Sequence, residues 1–401
     1  MDCRPDERRR QALHGLVTAA RPRAGRSGAG SVWLGRVARL TFSALVAVAL
    51  LAGVAGGLVR LGLHLPAMFA GAWPGQAAAA HAVLMFGGFL GTVIGVERAV
   101  AVQLRGAFVA PFAAGLGGLC LLLGWQSAGA WLEVAAALAF VAVNIVVVRR
   151  QPAAHTVLLL AGAVCWSIGN LLFANGLDSG AILPWWFAFL VITIAAERLE
   201  MTRLMRRRPS AQLSLGAVLV TMTAGAALSG VAQPLGGLLY GAGLLALALW
   251  LGTFDVARRT LFAHGLSRYM ALCLLAGYAW LAVAGIAWAA TALGLAARDI
   301  ALHALGLGFI VSMMMGHAPV ILPAVARVKL RFGWYFYVPL AVLHLSLAVR
   351  LGFGAFDPAV RAAAGGLNAV AIALFAATVA GAAVAWRCRP EREPTCAPSE
   401  S

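Results

Sequence analysis

Apolar residues run through this chain in long blocks, broken by short polar segments that carry arginine. The blocks do not alternate with period two. Many reach the roughly 20 residues that a helix needs to cross a bilayer. Lipid leaves helices and closed barrels as the only spanning structures, and unbroken runs of this length are helical. The pattern predicts about twelve spans, near residues 40–62, 79–97, 107–125, 129–148, 156–175, 181–199, 212–230, 234–252, 270–291, 300–323, 334–350 and 364–386. The expected fold class is an all-α polytopic membrane protein.

Composition agrees. Apolar residues are 62% of the 401 and charged residues 11%, against about 25% charged in a soluble domain. The basic residues then orient the chain. With the N-terminus inside, the inner segments hold 27 of the 31 Lys and Arg, and the outer side holds only Arg60, Arg298, Arg350 and Arg361. That asymmetry is the positive-inside rule, and a wrong span count would scramble it. Both termini are expected in the cytoplasm, in a multi-pass protein of the cytoplasmic membrane. Residues 1–39 read as a basic, disordered arm, 40–387 as the membrane domain and 388–401 as a disordered tail.

The net charge of +17 is thus a topology signal with attraction to anionic lipid heads. The lipid bilayer is the expected partner. Nucleic acid is not, because the arginines are spread over many loops and both tails rather than gathered on one face. Cys120, Cys165 and Cys273 sit singly in spans, and the absence of C-x-x-C excludes a zinc ribbon or covalent haem attachment.

The chain carries an internal echo. Span two ends in GVERAVAVQLR, span six in AAERLEMTRLMR, and span ten closes in AVARVKLR. These spans are four apart, which suggests three four-helix units. Similar basic helix ends also follow from orientation signals alone.

Candidate chemistry centres on His81 and His303. Each opens an apolar run, HAVLMFGGFLG and HALGLGFIV, and both runs cross from outside to inside. The two imidazoles should therefore share a depth near the outer face, a geometry able to clamp a haem iron from both sides. Gly87, Gly88, Gly91 and Gly95 on span two and Gly306 and Gly308 on span ten would leave room nearby. The alternatives are glycines that only let helices pack and histidines that only hydrogen-bond their neighbours. Met313 and His317 are four apart on one helix face, a thioether and an imidazole that suit copper(I). The competing reading is a flexible methionine filler and a histidine at a helix bent by Pro319 and Pro323. His64 is a loop histidine, His344 a buried one, and His155 a solvated one. Glu97, Arg98, Glu197 and Arg198 are expected to reach the inner interface and pair. Trp73, Trp125, Trp131, Trp185 and Trp186 are expected to form an outer aromatic belt. Asn144 and Asn170 are expected to bond between helices.

Twelve helices, both ends inside, three four-helix units and histidines at the outer ends of spans two and ten resemble subunit I of the haem–copper oxidases. Within that superfamily the HA-x-x-x-x-G start is similar to the NnrS branch, membrane proteins linked to nitric-oxide stress. The resemblance implies that His81 and His303 are axial ligands of a b-type haem. It also has clear departures. Spans six and seven hold no histidine where the oxidases ligate copper, and Leu305 stands where they have the second histidine of a His-x-His. A complete oxygen-reducing centre is not expected.

The function expected on this basis is a b-type haem protein in electron transfer or nitrogen-oxide response, served by an external electron donor or acceptor. The alternative is a secondary transporter of a neutral or apolar small molecule. Near-absence of charge within the spans favours the first.

Overall fold

The computed structural model describes residues 29–64, 71–201, 209–326 and 328–388. Its contacts form two units, Met1–Ser43 and Ala44–Ser401. In the first, the described backbone is helical from Ala29, and the Thr41 hydroxyl donates to the Val37 carbonyl at 3.1 Å. Everything below concerns the second. Residues 1–28 of the expected arm and 389–401 of the tail lie outside the described residues.

Among the described residues there are helices and no strand. Twelve helices are long and apolar enough to cross a membrane. They are α1 (Ala29–Arg60), α2 (His81–Val102), α3 (Arg105–Leu122), α4 (Gln126–Arg150), α5 (Ala154–Ala174), α6 (Ser179–Met201), α7 (Pro209–Leu228), α8 (Gln233–Phe254), α9 (Leu266–Ala292), α10 (Arg298–Pro323), α11 (Trp334–Ala355) and α12 (Pro358–Arg387). The chain is a multi-pass membrane protein.

Two helices are not regular. In α2 the segment Leu84–Gly91 is π-helical, and in α10 the segment Ala304–Val311 is π-helical. Each widened segment lies just after a candidate histidine, and single-turn π segments concentrate at functional sites.

The turns at the end assigned to the outside are tight. Gly124 follows α3 with φ +83°, donating to the Leu121 carbonyl at 3.1 Å, while Trp125 N–H donates to the Cys120 carbonyl at 2.9 Å. This pair of bonds is a Schellman motif, and its left-handed residue favours glycine. The same pair of bonds closes α5 and α9. At the start of α12, the Asp357 carboxylate accepts from the Ala359 and Val360 N–H groups, with Pro358 next in the helix. That cap starts α12 earlier than the apolar pattern suggests. As a result Arg361 lies within α12.

Lipid tails give helices no hydrophobic reason to associate, so close packing and hydrogen bonds do the work. On α8 and α9 the backbones touch: a Cβ on Gly241 would lie 2.6 Å from the Gly285 carbonyl oxygen. Helix α6 is the most enclosed of the twelve. Its Phe187 meets Phe86 of α2 edge-on at 4.7 Å, and a Cβ on Gly306 of α10 would lie 3.9 Å from the same ring. The three helices that carry the sequence echo thus come together.

Three expectations need correcting. Trp186 is not in an aromatic belt; it is 2% exposed, and its indole donates to Asn170 Oδ1 at 2.8 Å. The helices are not free of enclosed ionisable groups, since Glu133, Arg198 and Arg350 are all buried. His155 is buried too, with Nε2 3.8 Å from Glu200.

Candidate functional site

His81 and His303 line one cavity of about 760 Å³. Its walls are the halves of α1, α2, α6, α10, α11 and α12 at the end assigned to the outside, with the end of α5. Leu58, Phe86, Phe89, Trp186, Phe187 and Ile310 supply much of the apolar lining. The volume falls within the roughly 300–1,000 Å³ of small-molecule and cofactor sites.

Each histidine is held by its Nδ1. On α2, His81 Nδ1 lies 2.7 Å from the Gly53 carbonyl of α1. A carbonyl only accepts, so Nδ1 carries the proton and Nε2 keeps its lone pair. Gly57, one turn along α1, makes room for the ring: a Cβ there would lie 2.9 Å from His81 Cε1. On α10, His303 Nδ1 lies 3.0 Å from the Asp299 carbonyl and 2.9 Å from Asp299 Oδ1. The same carboxylate accepts from Arg350 Nη2 at 2.9 Å and Nε at 3.3 Å. Arg350 Nη2 also lies 3.0 Å from His303 Nε2 and 3.3 Å from Nδ1. Asp299 offers Nδ1 only acceptors, so Nδ1 carries the proton, the guanidinium donates to Nε2, and His303 has the same tautomer as His81.

A carbonyl or carboxylate on Nδ1 is how proteins orient a histidine whose Nε2 binds a metal. Both rings therefore fit iron ligation through Nε2. For His303 that requires Arg350 to give up one bond while keeping Asp299.

The cavity's charge is one-sided. Arg60, Arg298, Arg350 and Arg361 all line it, and Asp299 is the one acidic residue in the lining. These four arginines are the same four that the positive-inside pattern leaves outside. Arg298 donates to the Ser179 hydroxyl at 2.7 Å, and Arg60 to the Ala78 carbonyl at 3.3 Å.

Residues 39–384 match the family described as "Domain of unknown function (DUF8744)". The chain belongs to this family. The matched residues include both histidines and all four arginines, so the cavity lies inside the family's domain. No curated protein and no solved structure matches the chain.

The other candidates separate from this cavity. His317 Nδ1 lies 2.7 Å from the Met313 carbonyl, and its Nε2 accepts from Arg198 at 2.8 Å. Both ring nitrogens are thus engaged, in the same pattern as in His303, with a carbonyl four residues back at Nδ1 and a guanidinium at Nε2. Among the described residues no group of three or more His, Cys, Asp or Glu side chains could hold a metal ion. His344 accepts from the Trp280 indole at 3.0 Å and lies 3.3 Å from the Ser312 hydroxyl, which donates to the Cys273 carbonyl. It ties α9, α10 and α11 together. His64 is exposed and is not among the lining residues.

Of the six candidate glycines, only Gly306 lines the cavity. Gly87 faces Glu133, Gly88 faces α1 and α3, Gly91 faces Trp166, Gly95 faces Pro111, and Gly308 faces Trp280. Helix packing, not room for a ligand, explains those five. Gly53 and Gly57 of α1, which sequence reading did not single out, seat the His81 ring. It also passed over the outer arginines as site residues, having used them only as orientation signals. Asn170 bonds between helices as expected, but Asn144 donates to Phe140 of its own helix.

Proposed function

We propose that this chain is an integral membrane haem protein. His81 and His303 are the axial ligands of a b-type haem, and the outer arginines receive its two propionates. The observation that carries this reading is that both oriented histidines and all four outer arginines line one apolar-walled cavity. Haem matches such a cavity in chemistry: a flat apolar ring, a metal that binds neutral imidazole, and two carboxylates along one edge.

The neutral-substrate transporter explains the cavity less well, since a neutral molecule has no use for four guanidinium groups. The similarity to the NnrS branch belongs to this proposal, as does a role in nitrogen-oxide response.

When bound, the haem supplies one-electron chemistry. The protein's own contribution is more specific. Gly53 and Asp299 fix both tautomers and raise the basicity of the ligating nitrogens. Arg350 would hold Asp299 while facing the cavity's occupant. The aromatic walls exclude water. If His81 and His303 both held the iron, no place on it would be left for a gas, and electron transfer would be the chemistry the group supplies.

Optical titration of purified protein with haemin and with haemin dimethyl ester tests the arginine clamp. Haemin should bind, and Arg298→Gln with Arg361→Gln should weaken it about a hundredfold or more, as loss of roughly 1.5–3 kcal/mol at each of two charged hydrogen bonds implies. The ester should be insensitive to these substitutions. Absence of binding by either compound overturns the reading.

A further inference from the structure

Glu133 is the feature that the haem reading leaves unused. It lies on α4, fully buried, and neither carboxyl oxygen has a hydrogen-bond partner. Two helices give up side chains to enclose it. A Cβ on Gly87 of α2 would lie 2.2 Å from Glu133 Oε2, and a Cβ on Gly117 of α3 would lie 3.2 Å from Oε1. From α5, the Asn170 amide takes only its backbone carbonyl, at 2.7 Å. Among the described residues it forms no ion pair.

An ionised carboxylate without a partner or water is one of the costliest groups to bury in a membrane. The group in this slot is therefore the neutral acid. A metal cation does not fit, since sodium-like or calcium-like ions need several oxygens and only one carboxyl is present. A proton needs only the carboxyl. The end of α4 at Gln126 is exposed and bonds Gln76 at 3.0 Å. Gln126 lies seven residues before Glu133, on the same helix face and about 10 Å along the axis.

We propose that Glu133 is a proton-binding site of the membrane domain, a buried carboxylic acid that exchanges its proton with water at the Gln126 end of α4. The exchange is a simple transfer: the carboxyl O–H bond breaks, water accepts the proton, and the same bond re-forms on return. Helix α2 separates this slot from the histidine cavity, with Gly87 facing the acid and Phe86 and Phe89 facing the cavity. The proposal does not rest on haem binding.

Infrared spectroscopy of the full-length protein in lipid films, near neutral pH, reads this directly. Wild type minus Glu133→Gln should show the carbonyl stretch of a protonated carboxyl, and transfer to heavy water should shift that band down. Glu133→Asp should keep an acid band at a changed frequency, which separates loss of the acid from misfolding. Identical carbonyl regions in wild type and Glu133→Gln would overturn the proposal. So would a band that never shifts in heavy water, which would leave the acid sealed and structural.

Discussion

At the scale of single residues, what makes the two histidines candidate ligands is the partner on each Nδ1. Gly53 fixes His81 and Asp299 fixes His303. Gly57→Ala tests this without touching a ligand. Its new methyl would stand 2.9 Å from His81 Cε1, so the ring must turn from Gly53. We expect haem-supplied protein to lose its six-coordinate low-spin spectrum, while Gly216→Ala, with open space around it and outside the cavity lining, keeps it. Retention of the low-spin spectrum by Gly57→Ala would show that Gly53 does not position His81. Asp299→Asn should weaken ligation and also release Arg350, so its effect on haem retention should exceed that of Arg298→Gln in the same titration. Both histidines were legible in the sequence, because a polar ring opening an apolar run stands out. Their partners were not. A backbone carbonyl leaves no mark in sequence, and Asp299 next to Arg298 reads as an ordinary loop pair. Glu133 escaped notice for a different reason: a lone acid in WLEVAAALAF barely lowers a run's apolar character, and only the glycines across from it reveal an enclosed slot.

At the scale of elements, the sequence placed all twelve helices, because apolar length is the strongest signal a membrane chain carries. Boundaries were weaker. The Asp357 cap extends α12 ahead of its apolar core and brings Arg361 to the cavity. The π segments of α2 and α10 were invisible, since π and α turns share the same apolar composition. Each is eight residues long and begins within three residues of its histidine. The glycine turns allow a quantitative check. Gly124 holds φ +83° after α3, and Gly124→Ala should destabilise the detergent-solubilised protein by about 1 kcal/mol. Gly106, which has open space around it and an ordinary φ, should tolerate alanine with no fall in unfolding temperature. Equal effects at both positions would remove the left-handed turn as the cause.

For the whole molecule, one pattern has two consequences. Arginine is depleted on one side of the membrane, and the few that remain there line a single cavity. Orientation can be tested by itself. In a chain otherwise without cysteine, Ser127→Cys, exposed at the start of α4, should react with a membrane-impermeant maleimide from outside intact cells. Cys388, exposed after α12, should react only once the membrane is opened. The reverse labelling would invert the topology and place the arginine cavity on the cytoplasmic side. The central claim, a haem between α2 and α10, is met most directly by the reduced-minus-oxidised visible spectrum of purified protein expressed with haem supplied. The account predicts a sharp b-type α band in wild type that is lost in both His81→Ala and His303→Ala. A colourless wild-type protein, or a band that survives both substitutions, would contradict it.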